Sequence, residues 1–252
     1  MSDDVRSRFA PVAANYAVSS FHADPERWQE ILNLAQPRER DRVLDVATGT
    51  GNTAFALAPH VTQVVGLDLT SEMLAQARLM AAERGAANVA WVIGDAGSLP
   101  FGDGLFDLYT VRAAPHHFPD LDQSLREAGR VLKPGGRACF IDCSPPRAAR
   151  DHLHAVELGR DPSHRRSLTV EEWTDRIEAA GLVVETAERR ELDWEFDAWM
   201  RNMAVPAEQA AGLERVLESA AGRAREELRP ERREGRLWHA YWHALIRARK
   251  PW

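Results

Sequence analysis

The stretch VLDVATGTGNTAFAL, Val43–Leu57, narrows most what this chain can fold into. Apolar strand formers run into a turn with glycine at 49 and 51, and an alanine-rich helical stretch follows at once. Strand, glycine turn and helix in that order open a βαβ unit. In such a unit the free N–H groups at the helix N-terminus suit a negatively charged group, and glycines admit a ligand close to the main chain. A nucleotide or nucleoside is the expected ligand. Read alone, Gly49-x-Gly51-x-x-Ala54 also fits the dinucleotide fingerprint, so a nicotinamide cofactor is as compatible with this one turn.

The rest of the chain continues the alternation. Short apolar runs at 42–46, 63–67, 89–93, 106–111, 137–141 and 182–186 read as buried parallel strands, with helical patterns near 53–58, 71–84, 121–132 and 170–180 between them. Thr70 or Ser71 suits a helix cap, and Lys133-Pro134-Gly135-Gly136 stops a helix just before a strand. The pattern predicts an α/β fold: a Rossmann-like, doubly wound, mostly parallel sheet of seven strands with a helical N-terminal cap and a helical lid insertion. We expect one domain over 1–252. Residues 1–40 form the cap, 41–144 the ligand-binding core, 145–235 the lid, with helices over 193–203 and 207–228, and 236–252 a last element completing the sheet. The periodicity of 237–249 fits a strand or a helix.

With 252 residues and 44% hydrophobic content, the chain can bury a sizeable core, and its net charge of −6 makes nucleic acid an unexpected partner. No apolar stretch reaches the roughly 18 residues that span a bilayer. The start MSDDVRSRF is unlike a signal peptide, so no membrane partner and a cytoplasmic location are expected. A homodimer is compatible with the sequence. Cys139 and Cys143 lack a second pair to build a zinc site and read as buried thiols. His152, His154 and His164 share no ligand spacing with His116 and His117, and His239 and His243 lack the glutamate of HExxH, so no metal is expected. Trp194, Phe196 and Trp199 read as core rather than as pocket lining, and the mixed charges of 223–234 as a solvated face.

Acidic residues then narrow the ligand. Asp68 ends the second strand, where a carboxylate reaches ribose hydroxyls; Asp45 lies in the first strand, and Asp95 follows the third. Carboxylates at three neighbouring strand ends repel a pyrophosphate, but they suit a ligand with a cationic centre, an amine, a ribose and an adenine amino group. S-adenosylmethionine is such a ligand.

Together VLDVATGTG, VVGLDLTSEML, VIGDAGSLPF, FDLYTVRAAPHHFPD and EAGRVLKPGGRACFID resemble the class I S-adenosylmethionine-dependent methyltransferases, over most of the chain from about Asn15 onward. The likeness is greatest to the small-molecule branch related to the ubiquinone/menaquinone C-methyltransferases, the type 11 like group. The resemblance implies that Asp45 and the Gly49–Gly51 turn face the methionine part of the cofactor, Asp68 the ribose hydroxyls, Leu69 the adenine face, and Asp95 with Ala96 the adenine amino edge. Met73 and Arg112 complete that set. The family usually has glycine where this chain has Ala47, whose methyl narrows the cleft slightly without loss of binding.

The implied reaction moves a methyl to an O, N or C atom of a small, partly apolar organic molecule and leaves S-adenosylhomocysteine. The alternative is a non-methylating reaction on the same fold, such as a decarboxylation or cyclisation. An uncharacterised subgroup is closer still, through Arg112-x-Ala114-x-His116-His117-Phe118 and Asp161-Pro162-Ser163-His164-x-Arg166. Residues after the fourth strand lie at the carboxyl edge of the sheet, so His116 and His117 are the candidate catalytic residues; the competing reading makes them structural. Near a sulfonium an imidazole stays neutral and able to accept a proton, which is needed only for a hydroxyl or an acidic carbon. Tyr16, Phe21, His164 and Arg165 are the candidate acceptor and lid residues.

Overall fold

The computed structural model describes residues 2–17 and 25–252; Phe21 lies outside the described residues. In chain order the elements are α1 (Ser2–Phe9), α2 (Ala13–Ala17), α3 (Pro25–Ala35), β1 (Arg42–Val46), α4 (Asn52–Leu57), β2 (Gln63–Asp68), α5 (Ser71–Arg84), β3 (Val89–Ile93), β4 (Phe106–Arg112) and α6 (Leu121–Val131). They continue with β5 (Leu132–Cys143), α7 (Arg150–Arg160), α8 (Val170–Ala179), β6 (Val183–Glu195), α9 (Phe196–Asn202), α10 (Ala207–Glu218), α11 (Gly222–Leu228), β7 (Glu231–Arg233) and β8 (Arg236–Arg249). No described helix is long and apolar enough to cross a membrane.

The sheet runs β3-β2-β1-β4-β5-β8-β6; seven strands were expected, and the short β7, paired with β8, makes an eighth. Pairs among β1 to β5 are parallel, whereas β8 is antiparallel to β5 and to β6. After β1 the chain builds outward through β2 and β3 and then returns to the other side of β1 for β4. The connections above β1 and β4 therefore diverge and leave a crevice at the carboxyl ends of the strands.

Side chains alternate across each strand, so neighbouring apolar residues enter opposite faces. Leu44, Tyr109 and Phe140 pack with Leu125 of α6 and Trp173 of α8, while Val43, Leu108 and Ile141 pack with Ile31 of α3 and Leu57 of α4. Each such burial contributes about 1.5–3 kcal/mol, and the two faces together hold the strand ends in place. Cys139 and Cys143 are buried free thiols, as expected.

The ambiguous segment 237–249 is strand, in keeping with its aromatic residues and its pairing on both sides by β5 and β6. Pairing of β5 with β8 stops at Cys143↔His243, but β6 and β8 continue together to Glu195↔Trp238. Against this protruding ribbon, Trp194 of β6 and Tyr241 of β8 form a core with Leu153 of α7, Phe196 and Trp199 of α9 and Leu217 of α10, and the Trp194 and Tyr241 rings stack at 4.5 Å. The segment 145–235 is thus rooted on the sheet.

Several boundaries differ from the sequence reading, among them that of β6, which runs on to Glu195 where a strand ending at 186 was expected. Residues 193–195 are strand because Asp193 and Glu195 pair with Ala240 and Trp238, so the helix starts at Phe196. The helix expected over 207–228 is two, since Ser219 Oγ bonds back to the Val216 carbonyl at 2.7 Å and Ala221 is extended. Lys133–Gly136 belongs to β5 itself, whose pairing with β4 shifts register between Phe106 and Leu108. In the charge run, Arg229, Arg232 and Arg233 pair with exposed or half-buried acids, as a solvated face does. At the N-terminus, α1 bridges the two halves. Arg6 Nε donates to the Leu69 carbonyl at 3.2 Å, and Arg8 Nη2 donates to the carbonyls of Arg160 at 2.7 Å and Met203 at 3.1 Å.

Candidate functional site

The turn between β1 and α4 is left-handed at three places: Ala47 (φ +51°), Gly49 (φ +56°) and Gly51 (φ +90°). For alanine that conformation costs about 1–2 kcal/mol, a strain that the glycine expected there from the family resemblance would not carry. Gly51 faces inward, where an added Cβ would lie 2.6 Å from the Trp91 ring; Gly49 faces open space. Asp68 ties the turn to β2: its Oδ2 accepts from the Gly49 N–H at 2.8 Å and its Oδ1 from the Thr70 N–H at 2.9 Å. Burial raises the Asp68 carboxyl above the usual range. Asp45 accepts from Thr48 Oγ1 at 2.5 Å and from Thr110 Oγ1 at 2.8 Å. Burial pushes it up to about 6, against these two hydrogen bonds and the nearby Arg112 guanidinium.

Above the turn lies a cleft of about 1100 Å³, part of it open to solvent. Asp45, Ala47, Gly49, Asp68, Leu69 and Met73 line it, as do Asp95, Ala96 and Arg112, so every expected cofactor residue except Gly51 reaches this one space. Asp95 is exposed and accepts from the Gly97 N–H at 2.8 Å, while Arg112 Nε donates to Thr53 Oγ1 at 3.1 Å. Asn52 lines the cleft too, and its buried Oδ1 has no hydrogen-bond partner among the described residues. Across from the acids, Val5, Phe9, Tyr16, His117 and Phe118 make an apolar wall. Val5 and Phe9 were missed in the sequence, because nothing local shows that α1 folds back over the sheet edge.

The two histidines part company. Ala113 (φ +52°) and a short 3-10 turn over Pro115–His117 turn them to different sides, with ring centres 4.0 Å apart. His117 lines the cleft and His116 does not. His116 Nδ1 is 2.5 Å from Asp142 Oδ1. Burial opposes charge on His116, but Asp142 and Cys143 outweigh it and hold its pKa well above the ordinary value. His117 is pushed the other way, first by burial and then by the charge on His116, so it is neutral. Its Nδ1 is 3.1 Å from Ser163 Oγ.

His164 and Arg165 lie behind this layer, not on the cleft. His164 Nε2 is 3.2 Å from Ser167 Oγ, and burial with the His116 charge pushes its pKa down to about 3. The Arg165 N–H donates to the His116 carbonyl at 2.9 Å. Asp142 was not singled out in the sequence, and Asp161 and Ser163 entered only as members of the Asp161–Arg166 pattern, without a role of their own. Asp142 had a legible signal, being an acid at the end of an apolar strand like the other three. Ligand-type atoms of His116, Asp142 and Cys143 lie within 4.8 Å of one another, a grouping that sequence spacing did not reveal.

Residues 2–153 match the ubiE/COQ5 methyltransferase family. The chain belongs to that family. It is 34% identical over 220 residues to the uncharacterised methyltransferase YcgJ of Bacillus subtilis, covering 86% of this chain and 87% of YcgJ. The YcgJ crystal structure superposes with a TM-score of 0.84 over 90% of this chain and 99% of that one, at 31% identity. BH2331 of Bacillus halodurans gives a TM-score of 0.85 at 33% identity, over 90% and 100% of the two chains. A demethylmenaquinone methyltransferase of Thermus thermophilus is 38% identical over 144 residues, 55% of this chain and 65% of that one. As a ubiE/COQ5 family member the protein is an S-adenosylmethionine-dependent methyltransferase acting on a small molecule, which closes the nicotinamide alternative. The cleft fits the cofactor, with carboxylates at three strand ends, an unpartnered Asn52 Oδ1 for an amine and an open Gly49.

Proposed function

We propose that the protein methylates a small, partly apolar organic acceptor held between the acid-lined half of the cleft and the apolar wall, with His117 as its proton acceptor. The observation that carries this is the placement of His117: it is neutral, lines the cleft and sits among Phe9, Tyr16 and Phe118. S-adenosylmethionine, when bound, supplies an electrophilic methyl on a sulfonium, displaced in line by a nucleophile. The chain's own work is then to align, to exclude water and to take a proton. In this reading Asp68 receives the ribose hydroxyls, Leu69 and Met73 flank the adenine, Asp95 and Ala96 meet its amino edge, and Asp45, Asn52 and the Gly49 turn meet the methionine part. His116 is structural, as the cation that holds Asp142.

The same reading treats residues 1–40 and 145–235 as cap and lid of a single domain. Arg6 and Arg8 support it by joining the two sides. Two free thiols suit the reducing cytoplasm, and a homodimer, to be checked by light scattering, is compatible with the reading. The test of function follows label from methyl-labelled S-adenosylmethionine into cell extract fractions. Label should enter small, organic-extractable molecules, and His117→Ala should lower the rate by about 10²–10⁴-fold. Label entering only protein or nucleic acid, or an unchanged rate in the variant, would refute the proposal.

A further inference from the structure

Two hydrogen-bond acceptors face each other beside the acceptor end of the cleft. Ser163 Oγ donates to Asp161 Oδ1 at 2.6 Å, and the Ser163 N–H donates to the same oxygen at 2.9 Å. The serine hydrogen is thereby committed. Its 3.1 Å contact with His117 Nδ1 must then take its hydrogen from the ring. In a neutral imidazole that leaves a lone pair on Nε2. His117 Nε2 lies 3.8 Å from Asp161 Oδ2, a buried carboxylate oxygen with no hydrogen-bond partner among the described residues. Two acceptors at this separation repel each other unless they share a donor, and one donor group reaches both at ordinary hydrogen-bond lengths of about 2.8 Å. The Phe9 ring packs edge-on against His117 at 5.1 Å.

We propose that Ser163 is a positioning residue and Asp161 an acceptor-binding residue of the methyl transfer: Ser163 holds His117 in the Nδ1–H tautomer, and Asp161 Oδ2 joins His117 Nε2 in receiving one O–H or N–H group of the acceptor. This rests on the assignment of His117 to the acceptor end of the cleft. As the nucleophilic atom bonds to the methyl carbon, the carbon–sulfur bond breaks with its electron pair going to sulfur, and the donor hydrogen passes to Nε2. The imidazolium so formed sits beside the Asp161 carboxylate, with Arg8 Nε 3.8 Å from that carboxylate's other oxygen.

Histidine-selective ¹⁵N spectra read the tautomer directly, with the His117 signals assigned by their loss in His117→Gln. The wild type should show a protonated Nδ1 and an unprotonated Nε2, Ser163→Ala should lose that preference, and Ser163→Thr should restore it. With S-adenosylhomocysteine bound, phenol or aniline should move the Nε2 signal while anisole, of similar shape but without a donor, should not; a response to only one of the first two names the donor atom. Asp161→Asn should weaken the responding probe about tenfold and leave the tautomer unchanged. A protonated Nε2 in the wild type, an equal response to anisole, or undiminished probe affinity in Asp161→Asn would overturn the proposal. Failure of S-adenosylhomocysteine to bind the wild type would instead refute the cofactor reading beneath it, since the tautomer is readable without ligand.

Discussion

Asp45→Asn should make the ligand-free protein more stable, because the wild-type fold buries a carboxylate that its ligand-free surroundings do not fully compensate. Asp45 is 1% exposed, and its pKa rises from 3.8 to about 6, burial being the larger cause. A carboxyl whose folded pKa is raised binds its proton more tightly in the folded state. The fold therefore loses stability as pH climbs from about 4 to about 6, and the loss is complete above that. Two pKa units at about 1.36 kcal/mol each give a cost of roughly 3 kcal/mol near pH 7.5, and about 1.5 kcal/mol near pH 5, where half the range has been crossed. Asparagine has the same shape, keeps the Thr110 hydroxyl as a donor to its oxygen and carries no charge. Urea unfolding of the ligand-free variant should show a stability gain that roughly doubles between those two pH values, together with cofactor affinity weakened about tenfold. A variant less stable than wild type, or a gain that shrinks as pH rises, would refute the reasoning.

Other outcomes follow from the same geometry. Ala47→Gly relieves a left-handed alanine, so thermal melting should show it more stable by about 0.5–1 kcal/mol with cofactor affinity retained. His116→Gln leaves Asp142 buried without its cation and should cost about 3 kcal/mol in chemical denaturation, while cofactor affinity stays within a few-fold. Because the folded pKa of His116 is raised, that cost is greatest below about pH 6.5 and shrinks as pH rises through the folded value. Hydrogen exchange should slow over residues 5–16 and 160–166 when S-adenosylhomocysteine binds; equal exchange with and without it would contradict a closing cap.

The parts of the fold legible in the sequence are those with local causes. β1 and β3 match the sequence reading to the residue because each is a short apolar run bounded by turn formers. β6 is legible only at its start: from Glu188 to Glu191 it is exposed and charged, as suits an edge strand, and it is held by pairing with β8 rather than by burial. Asp45, Asp68 and Asp95 could be read as one site because parallel strands deliver their carboxyl ends to one edge. His116 and His117 could not be told apart, being adjacent in sequence and separated only by the backbone turn at Ala113–His117. Asp161 and Ser163 come from a distant segment, and their approach to His117 depends on how α7 packs against the protruding ribbon.

The most direct test of the account is calorimetric titration of S-adenosylmethionine into the wild type and Asp68→Ala, with folding of both checked by melting. Asp68 is the residue that joins the glycine turn to β2 and lines the cleft. Losing a charged hydrogen-bond partner for the ribose costs about 1–3 kcal/mol, so affinity should fall about 5- to 150-fold in a folded variant, while NADH binds neither protein measurably. Unchanged S-adenosylmethionine affinity in folded Asp68→Ala, or no binding to the wild type at all, would contradict the cofactor site on which everything else depends.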